Sequence, residues 1–143
     1  MTDPKTAKEA REELDRLNVQ WSRDKFMSLV LSGNNEWIKL FLLAGMSPET
    51  SDRNGITALM WASGKGHTAT ASLLLQHGAN VNQQTARGRT ALMSAVYYGR
   101  IETLKVLIEN AADTCLKDSE GKTAYQWSLE RKQTTISNIL KKR

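Results

Sequence analysis

The sequence predicts an all-α solenoid of stacked helix–turn–helix units joined by short hairpin loops, with an added capping helix at the N-terminus. Two observations predict it. Residues 33 positions apart match over most of the 143-residue chain. Within each 33-residue unit, two stretches carry apolar residues at helical spacing and end near glycine. One such unit cannot bury its own apolar face, so the units must stack.

The first element, residues 1–18, reads as an amphipathic helix. Asp3 can cap it, Pro4 suits its first turn, and Ala7, Ala10, Leu14 and Leu17 form one apolar stripe among alternating charges. Its expected role is to cover the open side of the first helix pair; binding a partner is the alternative. Residues 19–51 form a degenerate first unit, in which Phe26, Gly33, Leu40, Phe41 and Gly45 keep the register. Trp21 and Ser22 precede its first helix as a staple and a cap, and Trp37, Leu40, Phe41 and Ala44 are expected in the core.

Residues 52–84 are the clearest unit. Thr57 caps a helix of small and apolar residues over 58–64, and Gly66 lets the chain reverse. A second helix runs from about His67 to Gln76 with Ala69, Leu73 and Leu74 facing the core, and Gly78 ends it in the left-handed region. Residues 85–117 repeat this pattern with Gly88, Thr90, Ala91, Leu92, Gly99, Val106 and Leu107 in phase. Residues 118–143 repeat it again through Gly121, Thr123, Ala124, Ile139 and Leu140 and serve as a C-terminal cap.

Read together, the strings DRNGITALMWASGKGH at 52–67 and LLLQHGANVN at 73–82 closely resemble the ankyrin repeat. The resemblance extends over residues 19–143. Ala58, Ala91 and Ala124 stand where that family most often has proline, and Met60, Met93 and Gln126 where it usually has histidine. These departures imply the loss of a rigid turn residue and of a hydrogen bond across the turn. His67 stands where the family commonly has histidine at the start of the second helix.

Composition narrows function by exclusion. No apolar run approaches the roughly 20 residues a membrane helix needs; residues 38–46 come nearest and are broken by Lys39 and Gly45. The N-terminal segment lacks the apolar centre of a secretory signal. The expected location is the cytoplasm, or the periplasm if a leader has been removed. One cysteine, Cys115, cannot form an internal disulfide, and it reads as a partly buried bystander. Two histidines, His67 and His77, lie in different turns and make no zinc set with it. The SGKGHT stretch at 63–68 lacks phosphate-loop spacing and reads as a helix reversal, and Glu12 and Glu13 read as solvated surface. Neither enzyme activity nor a cofactor is expected.

What the resemblance implies instead is protein binding by the concave side, built from hairpin tips and the open flank of each first helix. Carried over by position, that side comprises Arg53, Asn54, Ile56, Gly64 and Lys65, then Arg87, Arg89, Tyr97 and Tyr98, then Ser119, Glu120, Lys122, Glu130 and Arg131. Tyr and Arg dominate interface hot spots, which makes the third unit the centre of the expected surface. Trp61 and Trp127 match in phase and read as core or groove-floor residues. The expected function is a non-catalytic inhibitor, immunity protein or regulator, with self-protection against a hydrolase as its concrete form and small bacterial ankyrin proteins as the nearest style. A monomer apart from its partner is expected.

Charge refines the partner. Net charge climbs through the five segments from −1 to 0, +1, +2 and +3, giving +5 overall. An acidic patch on a protein is the best match, and nucleic acid or another anionic surface, met by the basic C-terminal half, is the alternative. An enzyme or small-molecule receptor ranks third.

Overall fold

The computed structural model describes residues 4–142. Among these are nine helices: α1 (Ala7–Arg16), α2 (Arg23–Ser32), α3 (Asn35–Leu43), α4 (Ala58–Lys65), α5 (Thr68–Gln76), α6 (Ala91–Tyr97), α7 (Ile101–Glu109), α8 (Ala124–Glu130) and α9 (Thr134–Lys141). A single antiparallel bridge, Ser51 to Thr57, is the sole β feature among the described residues. Helices α2, α4, α6 and α8 pack in that order as one row, α3, α5 and α7 as a second, and α1 lies against α3. The chain is therefore an all-α helical repeat solenoid.

Four hydroxyl caps start the first-row helices. Ser22, Thr57, Thr90 and Thr123 are extended, and each accepts the backbone N–H three residues on at 3.0–3.3 Å. This satisfies donors that the helix itself leaves free. Met60 and Met93 are buried and return no bond, as the sequence suggests. Gln126 differs, because its Oε1 accepts the Thr123 N–H at 2.8 Å and completes a reciprocal capping box. The turn bond expected to be lost in all three copies is thus retained in the fourth.

Helices α5, α7 and α9 are each tied to the preceding unit by the residue just before them. His67 Nε2 meets Leu31 O at 2.9 Å, Arg100 Nε donates to Gly64 O at 3.0 Å, and Gln133 Nε2 to Val96 O at 2.6 Å. Three chemically different side chains, 33 residues apart, perform one task. Gly66 makes room for the second of them, since a Cβ there would lie 2.9 Å from Arg100 Cδ.

The core runs continuously between the rows through Phe26, Ile38, Phe41, Leu59, Leu74, Leu92, Leu104, Leu107 and Ile136. Some sequence expectations need correction here. Ala69 is exposed, and Thr70 and Ala71 take the buried places on α5. Trp37 and Leu40 are half-buried against the core's edge, whereas Phe41 and Ala44 are buried. Cys115 is exposed. Glu13, read as solvated, is half-buried and bonded to Arg16.

The N-terminal helix also starts later than the sequence suggests. Asp3 lies outside the described residues, Pro4 precedes the helix, and Thr6 caps it in a capping box with Glu9. Ala10 and Leu14 are buried, while Ala7 and Leu17 are exposed, so the stripe is two residues wide. Arg11 does the joining. Its Nε donates to Ala44 O at 2.9 Å while its guanidinium lies 4.5 Å from the Trp21 ring, itself stacked on Phe41 at 5.2 Å.

Candidate protein-binding surface

The hairpins between units are built by one device repeated every 33 residues. Asp52 Oδ1 accepts the N–H groups of Asn54 and Ile56 at 2.9 and 3.0 Å, and Asp118 Oδ1 those of Glu120 and Lys122 at 2.9 and 3.0 Å. Thr85 Oγ1 does the same for Arg87 and Arg89 at 3.3 and 3.1 Å. Side-chain oxygens that mimic a backbone turn favour these residues at such positions. The tips of the second and fourth units thereby project Arg53, Asn54, Ser119 and Glu120, all exposed or nearly so.

The aspartates have a second oxygen, and it reaches the helix that follows. Trp61 Nε1 donates to Asp52 Oδ2 at 2.8 Å and Trp127 Nε1 to Asp118 Oδ2 at 2.7 Å. Burial raises the pKa of Asp118, but the N–H donors of Lys122, Trp127 and Glu120 and the nearby Arg89 charge outweigh it, leaving the group below the usual carboxylate range. Asp52 follows the same balance, with burial opposed by Trp61, Ile56, Asn54 and Arg23. Both stay ionised and hold each indole against its hairpin.

Around Trp127 the structure gathers most of the third and fourth units' expected residues. Tyr97 packs edge-on to Trp127 at 6.0 Å and to Tyr98 at 5.0 Å. Arg131 lies 4.1 Å from the Tyr97 ring, and Arg89 lies 5.5 Å from Trp127 and 5.9 Å from Tyr97. Lys122 covers Trp127 at 4.8 Å, but it also pairs with Glu130 at 3.0 Å and Glu120 at 3.2 Å, so its charge is largely answered. Arg89 and Arg131 form no ion pair within 4.0 Å among the described residues.

Of the remaining expected residues, Arg53, Asn54 and Arg87 occupy hairpin tips, and Ile56, Gly64 and Lys65 border a recess of about 240 Å³ between α4 and α6, which Tyr98 and Arg89 join to the cluster. Tyr98 is 58% exposed, and its ring sits against Gly64, where a Cβ would fall 3.2 Å from it. Sequence reasoning missed Asp52 and Asp118 as anchors, Arg100 as an inter-unit tie, and Ser94 as the floor of the recess. A signal was present: an acidic residue precedes tryptophan by nine positions in two units, and both positions change in the third, to Thr85 and Ser94.

A family model for ankyrin repeats, in three copies, matches residues 26–118, well over half of the chain. The chain belongs to the ankyrin repeat family. Ankyrin repeats are generally protein–protein interaction modules, and the family is typically non-catalytic. No curated protein matches the chain. Within the ankyrin stack, the Tyr97, Trp127, Arg89 and Arg131 cluster occupies the face shared by hairpins and first helices. No helix among the described residues is long and apolar enough to cross a membrane.

Proposed function

We propose that this ankyrin protein binds an acidic patch on a partner protein through the hairpin and first-helix face, and acts by masking it as an inhibitor, immunity protein or regulator. One observation carries the reading. Two arginines, the half-buried Arg89 and the exposed Arg131, lie over aromatic rings with no carboxylate oxygen within 4.0 Å among the described residues. Cations outside close ion pairs raise the local potential and draw acidic surfaces, while Arg and Tyr supply interface anchors.

Self-protection against a hydrolase is the concrete form of the reading, because glycoside-cleaving clefts carry paired carboxylates that such a face would cover. The basic C-terminal residues Lys141 and Lys142 end α9, and Lys142 borders α7 at Lys105, Ile108 and Glu109 rather than the ring cluster, so the proposed face does not include them.

Affinity capture from the source cells, with identification by mass spectrometry, tests the proposal. The double variant Arg89→Ala/Tyr97→Ala should lose the partner by about 30-fold or more, the scale of one hot spot of about 2 kcal/mol. Lys141→Ala should retain it. No specific partner, or equal capture by the double variant, overturns the reading.

A further inference from the structure

The groove has an indole in the second unit and an indole in the fourth, and between them it has a gap. Trp61 and Trp127 fill matching places, each fastened to its hairpin aspartate. In the third unit both halves of that pair are absent, since Thr85 offers no second oxygen and Ser94 no ring. The result is the recess of about 240 Å³, bordered by Met60, Trp61, Gly64, Tyr98 and Arg89.

Translation by one unit says what the gap is suited to hold. Lys122 lies 4.8 Å from the Trp127 ring, and Arg89 occupies the equivalent backbone position one unit earlier. Arg89 therefore stands to the gap as Lys122 stands to Trp127. It currently leans across to Trp127 at 5.5 Å, and a cation attracts an aromatic face that comes within about 6 Å. The walls are apolar where Met60 and Trp61 line them, and the exposed Tyr98 ring forms one rim. Lys65, Arg89 and Arg100 add positive charge with no ion pair within 4.0 Å among the described residues.

We propose that the Ser94 recess is an anchoring subsite for one aromatic side chain of the partner, presented between acidic residues. The inserted ring takes the place that tryptophan holds in the neighbouring units, lies beside Trp61 and Tyr98, and receives Arg89 on its face. Flanking carboxylates meet Lys65 and Arg100. The proposal rests on the protein-binding reading and narrows it to a local sequence type in the partner.

The test uses blocked pentapeptides in an amide-proton NMR titration of the full chain. The probes are Glu-Asp-Trp-Asp-Glu, the same peptide with Ala replacing Trp, and Lys-Lys-Trp-Lys-Lys. The acidic Trp peptide should shift the Trp61 indole and the Ser94 and Tyr98 amides, and bind at least tenfold tighter than either control. Ser94→Trp should abolish those shifts while the Trp127 indole signal stays in place, showing that the fold is intact. Equal binding of the Ala peptide, undiminished binding by Ser94→Trp, or shifts confined to Trp127 would overturn the subsite. The two readings fail separately. A partner captured equally by wild type and Ser94→Trp, yet lost with Arg89→Ala/Tyr97→Ala, sinks the recess and leaves the protein-binding face standing.

Discussion

Gly88 offers a sharp test of the stacking geometry, because a matched control exists in the next hairpin of the same chain. Gly88 and Gly121 occupy the same place in consecutive hairpins with φ of 73° and 77°. Alanine in that left-handed conformation costs roughly 1–2 kcal/mol at either site. At Gly121 nothing lies within 4 Å of where the methyl would go. At Gly88 the methyl would fall 2.8 Å from Asp118 Cα and 2.9 Å from Lys117 O, backbone atoms at the junction with the next unit. Nor can that backbone move freely, since Ser119 N donates to Arg87 O at 2.8 Å and Asp118 anchors its own hairpin. Forcing an extra methyl into such a contact costs roughly a further 1–3 kcal/mol. Gly88→Ala should therefore destabilise by about 2–5 kcal/mol in total. With roughly 2–4 °C lost per kcal/mol at this size, its Tm should fall well below that of Gly121→Ala. Urea unfolding followed by tryptophan fluorescence and circular dichroism measures both. Costs equal within about 0.5 kcal/mol, the usual scale for surface changes, would refute the close approach between hairpins.

Other consequences concern single residues. Ala111 holds φ of 64° at the position where Gly78 ends the previous unit, so Ala111→Gly should stabilise the chain by about 1 kcal/mol in the same urea assay. Asp118 titrates below the usual carboxylate range, so its stabilising bonds are fully present above the ordinary, unfolded value and are lost as pH falls through the lower folded one. Asp118→Asn should therefore cost about 1.5–3 kcal/mol at pH 6, and its deficit against wild type should shrink on acidification; a deficit unchanged at low pH would contradict this. Arg100→Ala removes the bond to Gly64 O and should cost about 1 kcal/mol. Arg100→Gln should recover most of that loss, because Gln133 makes the equivalent bond one unit later.

How much of this was legible in the sequence depends on which force places each residue. Backbone demands were legible: the hydroxyl caps at Thr57, Thr90 and Thr123 and the reversal at Gly66 have few alternatives, so residue type reveals position. Helix faces were read less well. Ala69 and Ala7 fit an apolar stripe yet stay exposed, because alanine is small enough that burial gains little and periodicity alone cannot orient a short helix. Trp37 is large enough to demand cover, but it sits at the edge of the stack where only half of its ring finds any.

The candidate surface divides along the same line. Arg89, Tyr97, Lys122 and Arg131 occupy the expected face because the repeat's register fixes where their backbones lie. Their mutual arrangement around Trp127 was not legible, since it depends on the Asp118 carboxylate reaching across nine residues to turn the indole. Lys122 shows the cost of reading charge alone, because two carboxylates on its own unit answer it.

The central claim is that the hairpin and first-helix face is what meets the partner. Site-specific photocrosslinking tests it most directly, with benzoylphenylalanine introduced as Tyr98→p-benzoylphenylalanine on that face and as Lys105→p-benzoylphenylalanine on α7 in the second row. Irradiation in the source cells should yield a discrete protein adduct from position 98 and none from position 105. An adduct from position 105 alone, or of equal yield from both, would contradict the account.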